Sequence, residues 1–205
     1  MFNIFIPYVN QRELLMKAIE SLGKYKQRVI VLNNSGKDLM INGINVFKIS
    51  PVVPFSVLMN YVRDITVHQK RYFFMHDDAE ASEMAIEQLL GQADHIEDIG
   101  NKWGALLTNH DALALYNREA VRSAEWDINL PQYYSDWDYF RQLHLAGYPI
   151  VWTNVEVNHE VSATMKADET RKIWVETMFP AWKNYYLRKW GGDYGHETYT
   201  TPFNK

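Results

Sequence analysis

Arg71-Tyr72-Phe73-Phe74-Met75, followed at once by His76-Asp77-Asp78-Ala79-Glu80, is the stretch whose reading decides the fold. An aromatic and apolar run of this length reads as a buried strand, and the ionisable groups that stop it mark the strand's C-terminal end. Open α/β sheets bind ligands outside the C-terminal ends of their strands, so the acidic turn stands where a site belongs. Two or three oxygen ligands there suit Mg²⁺ or Mn²⁺, with a diphosphate supplying the remaining ligands. Asp78 and Glu80 form one acid-x-acid pair, and His76 with Asp78 forms another. The competing reading is a polar turn capping the next helix, whose positive end favours Asp and Glu.

Upstream, short apolar strands alternate with amphipathic helices, the pattern of a parallel sheet with helices on its faces. Phe2 to Ile6 reads as the first strand. Asn10 reads as a helix cap, with Glu13 three residues on and Leu14, Leu15, Ala18, Ile19 and Leu22 forming one face before Gly23. Arg28 to Leu32 and Ile44 to Ile49 are the next strands, the former closed by Asn33-Asn34-Ser35-Gly36. A helix follows from about Ser56 to Val67, with Leu58, Tyr61, Val62 and Ile65 inward. Downstream, Ser82 caps a helix to about Leu90. Trp103 to Thr108, Ala112 to Tyr116 and Tyr148 to Trp152 read as strands, and Asp136 to Ala146 as a helix ended by Gly147. Thr170 to Trp190 is mostly helical, with Pro180 placed to kink or split it. There is no internal repeat, low-complexity tract or linker.

Composition narrows the function classes. A chain of 205 residues with 47% hydrophobic and 22% charged content can bury a sizeable core as one domain. The absence of cysteine removes disulfides, thiolate metal sites and a Cys nucleophile, and suits a reducing compartment. No apolar run approaches the roughly 20 residues of a membrane helix, and the opening stretch lacks a basic leader, so the expectation is a cytoplasmic protein. A net charge of −4 disfavours tight, sequence-independent binding to nucleic acid. Aromatics reach 14%, with 7 Trp and 13 Tyr, which suits either stacking on sugars or large core and interface residues.

In their order along the chain, these features resemble the family 2 glycosyltransferases of the GT-A fold. Pro7-Tyr8-Val9-Asn10 with Leu14, Leu15, Ile19, Ser21 and Leu22 looks like the family's first strand and helix. Asn33-Asn34-Ser35-Gly36-Lys37-Asp38 is similar to its second-strand loop, which usually begins with Asp and contacts the nucleoside. Tyr72 to Glu80 looks like the DxD segment. Trp126-Asp127, then Ser135-Asp136-Trp137-Asp138-Tyr139-Phe140-Arg141 and Gly147, resembles the acceptor-side stretch. His76 stands where the first acid is often found, so either it or Asp77 fills that role, and Ser135 replaces the usual Glu, which leaves the base assignment on Asp136.

The resemblance implies an α/β GT-A (nucleotide-diphospho-sugar transferase) domain with a mostly parallel sheet over about 1–165, its donor half about 1–108 and acceptor half about 109–165. The C-terminal helical extension, 166–205, packs on the same domain. It implies a metal-dependent, inverting transfer from a nucleotide sugar to a glycan, lipid-linked or other hydroxyl acceptor; the amides of Asn33 and Asn34 suit uracil's mixed donor and acceptor edge, which makes a UDP-sugar the preferred donor. The metal, Mn²⁺ or Mg²⁺, falls to Asp78 with Asp77, His76 and His159, the last because several family members use a histidine at a similar place. Pro7, Tyr8, Asn10, Asn33, Asn34, Asn60, Asp77 and Lys189 are the donor-binding candidates. Asp136 is the base and Asp138 a second catalytic candidate, although both also read as helix-start charges. At a helix start the dipole would hold the Asp136 anion and keep it ionised. Arg188 and Lys189 before Gly191-Gly192 suit a lid over the diphosphate, but they read more simply as an ordinary helix end with its cations and glycine stop.

Rival readings share parts of this pattern. A nucleotidyltransferase needs a glycine-rich loop after the first strand, where this chain has Pro7-Tyr8-Val9-Asn10; a P-loop is likewise missing. A noncatalytic sugar-nucleotide or carbohydrate-binding domain of the same fold stays open because of Ser135 and His76, and a transferase acting on modified nucleic acid is disfavoured by charge alone.

Overall fold

The computed structural model describes residues 2–160 and 168–205. The strands are β1 (Ile4–Tyr8), β2 (Val29–Asn33), β3 (Asn45–Lys48), β4 (Arg71–Met75), β5 (Ala79–Glu80), β6 (Ala105–Leu107), β7 (Leu113–Asn117), β8 (Ile150–Trp152) and β9 (Asn158–His159). The helices are α1 (Arg12–Ser21), α2 (Phe55–Ile65), α3 (Glu83–Asp98), α4 (Arg118–Val121), α5 (Ser135–Leu145) and α6 (Glu169–Trp190). Seven strands form one sheet in the order β3-β2-β1-β4-β7-β6-β8, and β5 pairs with β9 apart from it. Four of the six neighbouring pairs in the large sheet are parallel, as expected; β7 runs antiparallel to both β4 and β6.

Strand alternation splits the core in two. Ile4, Ile6, Val31, Phe73 and Met75 point to the face covered by α1 and α3, where they meet Leu15, Ile19, Ile86 and Leu89. Phe5, Leu32, Tyr72 and Phe74 point to the other face, against Leu58 and Val62 of α2 and Tyr139 and Leu143 of α5. A third cluster packs α6, through Val175, Trp182, Tyr186 and Trp190, onto Leu130 and Tyr134. The strand order turns back between β1 and β4: β2 and β3 extend to one side and β7 to the other. A crevice therefore opens at the C-terminal ends of β1 and β4, and Met75 delivers His76, Asp77 and Asp78 into it.

Local differences from the sequence reading have identifiable causes. Gln11, not Asn10, precedes α1, and no side chain caps that helix. Ser82 does cap α3, accepting from the Ala85 amide at 3.2 Å, but the helix runs on to Asp98. In α2 the buried residues are Ser56, Leu58, Met59 and Val62, while Tyr61 and Ile65 are 38% and 37% exposed. That rotation is fixed by Asn60, whose side chain clasps the Trp126 backbone with bonds of 2.8 and 3.0 Å. Helix α6 runs unsplit past Pro180, with buried anchors at Val175 before it and Trp182 after it. The boundary expected at 165/166 lies outside the described residues. Among the described residues no helix is long and apolar enough to cross a membrane.

Candidate functional site

The crevice is a cavity of about 480 Å³. Its base carries His76, Asp78 and His159, whose ligand atoms all lie within 4.8 Å of one another. His159 Nε2 is 3.0 Å from Asp78 Oδ1, and His76 Nδ1 is 3.9 Å from the same oxygen. Chain separation of 81 residues between Asp78 and His159 is closed by the small sheet: Ala79 pairs with His159, and the Glu160 amide donates to the Asp78 carbonyl at 2.9 Å. Burial, with His159 second, pulls the His76 imidazole down to about 4, so it is neutral at physiological pH. Burial pushes Asp78 up, but the His159 hydrogen bond and the two imidazoles outweigh it and leave the carboxyl below its ordinary value. A neutral imidazole beside an ionised carboxylate is what a divalent cation requires of its ligands. His159 Nδ1 is buried with no hydrogen-bond partner among the described residues.

Asp77 stands outside this cluster. It is 7% exposed, and burial followed by the charge of Asp78 raises it to about 7, with the Val9 amide and Arg171 pulling the other way. Asp136 enters the same cavity from the first turn of α5. Its carboxyl is raised to about 7 by burial and then by Asp111; the amides of Trp137 and Asp136 itself, and His76, oppose this but lose. The helix end therefore does not hold Asp136 ionised, contrary to the expectation from its position alone. Asp111, raised to about 6 by burial with His159 opposing, completes an acidic wall.

Backbone strain collects around this wall. Among the described residues, His110, Asp111 and Tyr134 all line the cavity with φ of 54°, 47° and 64°. Non-glycine residues rarely adopt such angles, and those that do persist where surrounding contacts hold them, often at functional sites.

The other sequence candidates divide. Pro7 and Asn34 line the cavity together with His76, Asp77, Asp78, Asp136 and His159. Tyr8 packs into the core beside it, and Asn10 is exposed. The amide of Asn34 is committed to Val53, donating to its carbonyl at 2.8 Å and accepting from its N–H at 2.9 Å. Asn33 donates to the Lys37 carbonyl at 2.8 Å and accepts from the Ser35 hydroxyl at 2.6 Å. Both therefore shape the loop with the groups a nucleobase edge would need. Asn60 is the clasp of α2. Asp138, fully buried, lies behind the cavity, where it accepts from Trp190 Nε1 at 2.8 Å and Gln142 Nε2 at 2.7 Å. Lys189 joins it there, 2.7 Å from both Asp138 and Asp127, so this cation ties α6 to α5 rather than facing the crevice.

Several lining residues were not singled out from sequence: His110, Asp111, Tyr133, Trp152, Phe179 and Arg171. Arg171 carries one sequence signal, a cation in the first turn of a helix, where the dipole disfavours it unless an anion is near. Its Nη2 donates to Gln132 Oε1 at 3.0 Å, and its charge reaches Asp77. Trp152, 51% exposed, offers an open ring on the cavity wall.

The sequence matches no family model and no curated protein. Solved structures do resemble it. TarS of S. aureus superimposes with a TM-score of 0.62 at 12% identity, covering 91% of this chain and 42% of that one, so the chain spans less than half the length of that protein. Glucosyl-3-phosphoglycerate synthase from Mycobacterium tuberculosis, solved with Mn²⁺, uridine diphosphate and phosphoglyceric acid, gives 0.56 at 12% identity over 87% of this chain and 78% of that one. CMP:2-keto-3-deoxy-manno-octonic acid synthetase, solved with CTP, gives 0.55 at 11% identity over 86% and 99%. At such identities the likeness is one of architecture. The chain has the α/β fold of the GT-A type, with its largely parallel sheet flanked by helices and a His/Asp cluster at the switch point of the strands.

Proposed function

We propose that this chain is a metal-dependent glycosyltransferase that moves a sugar from a nucleoside diphosphate donor to an acceptor hydroxyl with inversion at the anomeric carbon. The observation that carries the reading is the meeting of His76, Asp78 and His159 with Asp136 in one cavity. The residues fit a divalent cation, and two imidazoles with one carboxylate suit Mn²⁺ better than Mg²⁺, which favours oxygen alone. Held there, the cation would offset the diphosphate charge and stabilise the departing nucleoside diphosphate. Arg171, entering from α6, supplies a second positive charge to the same phosphates.

Asp136 takes the acceptor proton as the new bond forms. A carboxyl raised to about 7 is better matched to that task near neutral pH than an ordinary one near 3.9. A single carboxylate base, with the cation assisting the leaving diphosphate, would make the transfer a single displacement, so an α-linked donor would yield a β-linked product. Tyr133, Trp137 and Trp152 give the cavity aromatic faces suited to sugar rings. UDP remains the preferred nucleotide, recognised through the loop that Asn33 and Asn34 shape. Nucleotidyl transfer, for which the fold also serves, is disfavoured by the lack of glycine between Pro7 and Asn10.

The test is a panel of uridine, guanosine and thymidine diphosphate sugars with hydroxyl acceptors, the product followed by proton NMR. Release of nucleoside diphosphate with an inverted anomeric signal is expected. Saturable binding across the panel without release would make the chain a binding domain, and a product of retained configuration would remove the single displacement.

A further inference from the structure

A second cavity, of about 560 Å³, opens at the opposite end of the large sheet, beside the start of β4 and the end of β7. Several ionisable groups around it are already committed. Lys70 pairs with Glu97, Arg71 pairs with Asp94 and Glu97, and Glu119 accepts from the Tyr148 hydroxyl at 3.1 Å. Three lining cations remain, Arg118, Arg122 and Lys102, none with an ion pair among the described residues. Lys102 lies over the Tyr148 ring, 5.3 Å from its centroid.

Arg118 is the telling residue. It is 8% exposed, and its Nε and Nη1 are buried without a hydrogen-bond partner among the described residues. Burial, and then the charge of Arg122, pull it below the ordinary guanidinium range. The nearby Tyr72 and Tyr139 hydroxyls are neutral at physiological pH and leave that charge unbalanced. A buried, unpaired guanidinium beside a second one costs stability unless an anion joins them. In a chain of net charge −4 this concave cationic spot runs against the overall balance.

We propose that this cavity is a second ligand site that binds a phosphate-class oxyanion, free or as the phosphoryl group of a larger molecule, on Arg118, Arg122 and Lys102. Guanidinium forks match the oxygens of such a group, and the ammonium adds a point charge. The length of β4, about 16 Å at the usual rise per residue, separates this site from His76. It is therefore independent of the ligand chemistry proposed for the first cavity.

Thermal melts in a phosphate-free zwitterionic buffer with EDTA test it, titrating inorganic phosphate, glycerol 3-phosphate, or sodium chloride of matched ionic strength. The wild type is expected to show a saturable rise of about 4 °C with phosphate and none with chloride. Equal half-saturation by the two phosphates marks recognition of the free ion, and tighter response to the ester marks a carried phosphoryl group. Arg118→Met is expected to melt higher than wild type without phosphate and to lose the response. Arg122→Gln, a surface change that the fold tolerates, is expected to weaken half-saturation about 10-fold, and it decides the matter if Arg118→Met does not fold. Asp78→Asn keeps the full response. An equal rise with chloride, no saturable rise, or an Arg122→Gln response identical to wild type overturns the proposal.

Discussion

Asp136→Asn separates a catalytic carboxylate from a helix-start residue, because the two roles move stability in opposite directions. The folded protein holds the Asp136 proton up to about 7, against 3.8 ordinarily. The folded state thus binds more protons than the unfolded chain between those values. The stability this contributes is fully present below about pH 4, and is lost as pH rises toward 7. The full shift corresponds to about 4 kcal/mol at 1.36 kcal/mol per pK unit. The side chain lines an open cavity and shares the effect with Asp111, so the measurable part is about 1–2 kcal/mol. Asparagine removes the charge while still accepting from the amides of the helix start. The variant is therefore expected to melt about 2–8 °C above wild type at pH 8 and level with it at pH 4. Turnover, measured as nucleoside diphosphate release at saturating donor, falls by about 10² to 10⁴. In wild type, turnover rises with pH through about 7, and the variant loses that limb. A variant that melts lower than wild type at both pH values, with turnover per folded molecule retained, would make Asp136 a cap and refute the reasoning.

His159→Ala removes one ligand and leaves the small sheet's backbone bonds in place, so Mn²⁺ affinity by calorimetry is expected to fall at least 10-fold with little change in melting temperature; unchanged affinity would place the cation elsewhere. Arg171→Gln deletes the charge proposed to meet the diphosphate and is expected to raise KM for the donor about 10-fold to 100-fold, the worth of a charge-assisted hydrogen bond. An unchanged KM would assign Arg171 to the Gln132 contact alone. Lys189→Met strands Asp127 and Asp138, and loss of one partner of a buried pair costs about 3–5 kcal/mol, so the melt is expected to drop by about 10 °C. A drop in donor affinity without a drop in stability would return Lys189 to the crevice.

The fold was legible because β4 and its acidic stop state their own meaning: a buried strand, then charges at its C-terminal end. Ile4 and Val31 lie on one face and Phe5 and Leu32 on the other, a division that the unbroken apolar runs of β1 and β2 do not announce. His76, Asp78 and His159, which the structure brings together, are each candidates from the sequence, along with Asp77, which stands apart from them. What joins them was not legible, since β5 and β9 are two-residue strands whose pairing has no periodicity to read. His110 and Asp111 have no motif around them, because positive φ at a non-glycine residue leaves no mark in sequence. Asn33 and Asn34 looked like base-reading amides, but type says nothing about whether a side chain faces ligand or its own loop. Lys189 reads as a helix-end cation that could also serve a lid, and only the approach of Asp127 and Asp138 from other segments shows what it touches.

Nucleoside diphosphate release from a UDP-sugar, followed with Mn²⁺, after chelation and in the Asp78→Asn variant, tests metal-dependent transfer most directly. Asp78 is held by the turn after β4 rather than by the core, so the variant is expected to fold and to bind Mn²⁺ weakly. Release with Mn²⁺ in wild type, abolished by chelation and reduced by orders of magnitude in Asp78→Asn, is the expected result. Full release by wild type in chelator, or by Asp78→Asn with or without Mn²⁺, would contradict it.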